Sequence, residues 1–153
     1  MKNLKKYLFI FFLLLLYTTI CAVSYVNAVS NSISNEIFRL HVIANSDSDE
    51  DQSLKYIVRD NVLKYVNSLK FSTKQDLVNY LENNLEVIKE IAMDTVLENG
   101  FEYDVNVEIG HFDFPTKEYG DISFPAGDYD ALRIKLGNSI GKNWWCVMFP
   151  PQI

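Results

Sequence analysis

The sequence predicts an α+β fold, a two-layer sandwich with two antiparallel helices on one face of a mostly antiparallel sheet. An N-terminal signal or anchor helix precedes it. Three observations carry this reading. Lys2, Lys5 and Lys6 stand before an apolar run from Tyr7 to Val23, which is the pattern of an export segment. One strand-like segment is then followed by two stretches with apolar residues three to four apart, the period of a helix face. The last third alternates apolar and polar residues, as half-buried strands do. Strand, helices and then several strands is an α+β order.

The apolar run is close to the roughly 20 residues that cross a bilayer. It is read either as a signal peptide ending at Ala28, after Val26 and Asn27, or as a retained anchor. In both cases the positive flank stays inside and the rest of the chain is exported. Residues 29–36 are polar and read as a linker. The remaining segment, 37–153, is the length of a single domain. Of the 14 basic residues three precede Ala28, whereas all 20 acidic residues follow it. The exported part thus carries 11 basic against 20 acidic residues, a net charge near −9. Such a surface excludes nucleic acid as a partner and leaves the membrane in contact only through the N-terminal segment.

The first strand spans Ile37 to Ala44, with Phe38, Leu40 and Val42 on one face. Asn45 to Asp51 form a turn rich in Ser and Asp, which cap helices and favour the positive end of the helix dipole. A helix follows from Asp49 to Leu69, striped by Leu54, Val58, Val62, Tyr65, Val66 and Leu69. Ser72 and Gln75 read as a capping box for a second helix, striped by Leu77, Leu81, Leu85, Ile88 and Val96. Gly100 supplies its left-handed stop. Phe101, Tyr103, Val105, Val107 and Ile109 alternate with polar residues in a second strand, and Leu132, Ile134 and Leu136 repeat the pattern. Between them Pro115 to Gly127 hold two prolines and two glycines, the composition of a long loop or an irregular edge hairpin. Trp144 to Phe149 close the sheet.

No catalytic set is legible. Cys146 is alone after the export segment, so the exported domain holds no internal disulfide, and its apolar neighbours favour an inert buried thiol. An extracellular thiol hydrolase pairing Cys146 with His41 or His111 is the rival reading, and a structural envelope protein is a third. Asp47, Asp49 and Asp51 invite a calcium loop. The sixth and twelfth positions counted from Asp47 are Gln52 and Val58, where an EF-hand needs Gly and Glu. No metal or cofactor is therefore expected. What remains is surface. Trp144 and Trp145 are adjacent, so in a strand they point to opposite faces, one into the core and one outward as a binding anchor. Phe112, Phe114, Tyr119, Phe124 and Tyr129 crowd the loop region beside them.

Four separated segments also resemble the stage II sporulation protein R family. They are Arg39-Leu40-His41-Val42-Ile43-Ala44-Asn45-Ser46-Asp47 with Val58-Arg59-Asp60 after it, Phe114 to Gly120, Pro125 to Arg133, and Gly141 to Val147. The resemblance covers roughly residues 36 to 151. It implies a signalling domain, not an enzyme, that is made in the forespore and exported to the space between the two membranes. There it would activate a membrane-embedded aspartic protease of the stage II sporulation GA type, which removes the pro-sequence of pro-sigma-E in the mother cell. The matching segments supply the candidate partner contacts Asn45, Asp47, Thr116, Lys117, Tyr119, Trp144 and Trp145. The family pattern continues past the double proline, whereas this chain reads Gln152-Ile153 there, so a C-terminally shortened domain is expected.

Overall fold

A computed structural model describes residues 2–120 and 122–151; Gln152 and Ile153, on which the expectation of a shortened domain falls, lie outside them. The chain divides into two units, Met1–Ile33 and Ser34–Ile153. Helix α1, Lys2–Glu36, carries Ala28 and residues 29–36 as its last turns. Its segment Leu4–Val26 has a mean hydropathy of 2.2 and none of it is buried. At about 1.5 Å per residue its 23 residues are long enough to cross a bilayer, as a signal or anchor segment requires.

The second unit is an α+β domain. Strand β1, Phe38–Ile43, leads into α2, Asp49–Leu69, followed by α3, Lys74–Asn83, and α4, Leu85–Glu98. Then come β2, Val105–Phe114, a short hairpin of β3, Lys117–Tyr119, and β4, Ile122–Phe124, then β5, Gly127–Leu136, and β6, Asn143–Phe149. The four long strands form one sheet in the order β2-β5-β1-β6. Two of its pairings are antiparallel and one, β1 with β5, is parallel, so the sheet is mostly antiparallel as expected.

The boundaries of α2 match the sequence reading, and Ser48 caps it by accepting from the Asp51 amide at 3.2 Å. The expected second helix is corrected to two, α3 and α4. Asn84 breaks it: at φ −129° and ψ 27° its backbone leaves the helical region, while its side-chain amide donates to the Tyr80 carbonyl at 2.8 Å. That bond satisfies a carbonyl the interrupted ladder would leave orphaned. The capping box shifts by one residue as well: Thr73, not Ser72, accepts from the Asp76 amide at 3.1 Å. Strand β2 starts at Val105; Phe101 and Tyr103 precede it, packed side by side at 5.5 Å. Gly100 has φ +82°, the left-handed stop expected there.

One core joins the helices to one sheet face. Phe38, Leu40, Val42, Leu132, Ile134, Leu136, Cys146 and Met148 pack with Leu54, Val58, Val62, Leu77, Leu81, Ile88 and Val96. The opposite face of β1 is buried too, for Arg39 and His41 are 0% and 4% exposed. Burial on both faces marks an interior strand. Here the second cover is made of aromatic side chains from β2, the hairpin, β5 and β6, not of helices.

Candidate functional site

The first matching segment is a structural clamp. Asp51 is buried at the start of α2 and accepts from Asn45 Nδ2 at 2.8 Å, Ser46 Oγ at 2.5 Å and the Tyr103 hydroxyl at 2.9 Å. Burial alone would raise its pKa; the bonds from Ser46, Asn45 and Tyr103 outweigh this and hold it below the ordinary carboxylate value. Asn45 Oδ1 accepts from the Asn138 amide at 2.9 Å, and Asp47 Oδ1 from the Lys142 amide at 2.7 Å. The loop from Gly137 to Lys142 is thereby fastened to the N-terminus of α2. A side chain at Gly141 would run into the Ser46 carbonyl, so a glycine is needed at that close approach.

That loop delivers β6 and its two tryptophans. They point to opposite faces, as strand alternation requires, but both are half-buried, so the expected outward Trp is also held by neighbours. Trp144 lies on the helix side, edge-on to Tyr56 at 5.1 Å and under the Arg59 guanidinium at 4.6 Å. Trp145 stacks on His41 at 3.7 Å with 17° between the planes and meets Phe114 at 4.7 Å. His41 Nε2 donates to Asn143 Oδ1 at 2.8 Å, which fixes the neutral tautomer. Its Nδ1 has no partner among the described residues. A proton there would be a buried, unsatisfied charge. Burial chiefly, with Arg133 and Lys135 adding repulsion and the Asn143 bond opposing, lowers the His41 pKa to about 4.

The crowded aromatics prove to be a cage around Arg39, a residue that sequence reasoning quoted only as part of a matching segment. Its guanidinium lies 4.3 Å from the Phe114 ring, 4.9 Å from Tyr129 and 5.9 Å from Phe124. Cation–π attraction of this kind strengthens as water is excluded. Arg39 also donates to the Cys146 carbonyl at 3.4 Å and to the Tyr119 hydroxyl at 3.3 Å. Tyr119 in turn donates to the Trp145 carbonyl at 2.7 Å, which ties the β3–β4 hairpin to β6. The signal available in the sequence was an Arg, two residues before His41, inside a strand whose other residues are apolar.

These parts enclose a cleft of about 450 Å³ between the start of α2, the beginning of β6 and the hairpin. Lys117, Tyr119, Trp144 and Trp145, four of the seven candidate contacts, line it with Lys55, Tyr56 and Lys142. The other three lie outside. Asn45 and Asp47 hold the loop beneath it, and Thr116 Oγ1 accepts from the Ala126 amide at 3.1 Å at the base of the hairpin. A second hollow of about 310 Å³ continues along β6 and shares Tyr119 and Trp144 with the first. It is lined also by Cys146, whose thiol burial pushes up to about 11. A thiol so disfavoured as thiolate is a poor nucleophile near neutral pH.

Residues 34–153 match the family described as stage II sporulation protein R. Over 121 residues the chain is 40% identical to stage II sporulation protein R of Bacillus subtilis (strain 168), covering 78% of this chain and 54% of that protein. The chain thus spans about half the length of the curated relative it matches. No solved structure matches it. With its folded domain matched throughout, from β1 through the cleft to β6, the chain belongs to the stage II sporulation protein R family.

Proposed function

We propose that this protein is a sporulation signal exported from the forespore into the intermembrane space, where it activates the membrane-embedded aspartic protease of the stage II sporulation GA type. That protease then processes pro-sigma-E in the mother cell. The observation that carries the reading is family membership over residues 34–153, joined to an apolar N-terminal helix behind Lys2, Lys5 and Lys6. An activator of this kind acts by binding one state of the protease better than the other, and shifts its population by no more than that difference. The cleft walled by Lys117, Tyr119, Trp144 and Trp145 is the contact surface in this reading. The rival thiol hydrolase is disfavoured by the burial of Cys146 and the upward shift of its pKa.

The test is reconstitution. The full chain is co-expressed with the protease and pro-sigma-E in a non-sporulating host, and processing is followed by immunoblot. Processing that requires this chain and survives Cys146→Ser supports the activator. If the sigma factor stays unprocessed while a longer relative drives its processing, the activator reading of this chain is lost.

A further inference from the structure

We infer that the groove along the free edge of β6 receives an extended, acidic segment of a partner protein, which adds to the sheet as a strand beside β6. The inference deepens the activator reading and rests on it for the partner's identity, but the groove's chemistry stands on four observations.

First, β6 is the last strand of the sheet and pairs only with β1 among the described residues. On its other side the Tyr119 hydroxyl already holds one β6 carbonyl, that of Trp145; the remaining backbone groups of that side are the ones an added strand satisfies. Second, the two hollows of about 450 and 310 Å³ run side by side along this edge from Lys142 to Pro151. One wall is α2, where Gln52, Tyr56, Arg59, Leu63 and Asn67 recur at helical spacing; the other is the hairpin at Lys117–Tyr119. The seven residues of β6 span roughly 23 Å at about 3.3 Å each, room for a strand of similar length.

Third, the end near Lys142 is cationic in an acidic protein. Lys55, Lys117 and Lys142 all line it, and none forms an ion pair among the described residues. Four other cations are matched: Arg133 and Lys135 share Glu108, Lys74 meets Asp130, and Arg59 meets Asp60. Glu118 is the one carboxylate lining that end, while Asp47 acts on the buried Lys55, so Lys117 and Lys142 supply the local positive charge that would recruit an anionic group. Fourth, Trp144 and Trp145 flank the edge on its two faces, half-buried. Rigid aromatic surface beside open backbone suits the alternating side chains of an added strand. An anionic bilayer fits less well, because the domain's net charge near −9 opposes its approach.

The protein carries only these two tryptophans, so their emission reports on the groove directly. The full chain in detergent micelles is titrated with an eight-residue Val/Thr-alternating peptide ending in Glu and Asp, and with its Gln/Asn counterpart. The acidic peptide is expected to shift the emission and to bind at least about tenfold tighter than the neutral one. Lys117→Glu with Lys142→Glu should erase that preference, whereas Lys64→Glu, outside the groove, should preserve it. The same lysine reversal should cut sigma-factor processing in the reconstituted system by about tenfold or more. Equal binding of both peptides, or none, overturns the inference. So does an emission change driven by chain concentration alone, which would mean that two copies pair through β6, or one produced by phosphatidylglycerol vesicles and not by peptide. Processing that needs this chain yet ignores the lysine reversal overturns the groove and leaves the activator standing. Lysine-dependent peptide binding without any processing supports the groove and defeats the activator.

Discussion

Acidification should weaken this domain through His41, and the size of the effect follows from its surroundings. The imidazole is 4% exposed, stacks on Trp145, and has its one hydrogen bond at Nε2. Its pKa falls from the ordinary 6.5 to about 4. The unfolded chain therefore takes up this proton first as pH drops, and the stability tied to neutral His41 is present above the unfolded pKa and lost as pH falls toward the folded one. A separation of about 2.5 units corresponds to roughly 3 kcal/mol in full, of which about 2 kcal/mol is lost between about pH 7 and pH 5. Asp51, whose pKa lies below the ordinary 3.8, gives up its own contribution at lower pH still and does not confuse this window. The assay is urea unfolding followed by tryptophan emission at the two pH values, for the natural chain and for His41→Phe. Phenylalanine keeps a flat ring against Trp145 and removes the proton site. On acidification the natural chain should lose about 2 kcal/mol more than His41→Phe. Parallel pH dependence in the natural chain and His41→Phe would refute the reasoning.

The remaining expectations concern the clamp and the thiol. Asp51→Asn takes a charged acceptor from Asn45, Ser46 and Tyr103 and should cost about 2 kcal/mol by denaturant titration, with the largest difference at neutral pH. Gly141→Ala drives a methyl group into the Ser46 carbonyl and should cost about 2 kcal/mol or more; an unchanged unfolding midpoint would show that the loop yields freely. In a Cys21→Ala background, Cys146 should react with a disulfide reagent at neutral pH only as fast as the domain opens, since burial holds its pKa at about 11. Rapid labelling of the folded protein would revive the nucleophile reading.

Much of the fold was legible because its signals are local. The span of α2 follows from Ser48 and the carboxylates of its first turn, and the facing of β1 and β5 from alternation. The break at Asn84 was hidden because the apolar stripe continues in phase across it, from Leu81 to Leu85 and Ile88. Only the bond from Asn84 to Tyr80 reveals that the ladder is interrupted. The site was half legible. The tryptophans and the hairpin residues stood out by type, whereas Asn45 and Asp47 serve the cleft from beneath it, holding backbone amides that lie more than 90 positions away in the chain.

By itself the sequence determined the apolar N-terminal segment that fits a signal or anchor, the α+β order, the family and the alternation that puts Trp144 and Trp145 on opposite faces. Those properties depend on residues close in the chain, or on the order of separated segments, and need no knowledge of what packs against them. Tertiary structure alone decided that β1 is interior and β6 is an edge. It also decided that Arg39 is caged by rings from three other strands, and that Lys55, Lys117 and Lys142 converge on one cleft. Strand order and the second cover of a sheet are set by contacts between segments up to about a hundred residues apart, and no local periodicity records them.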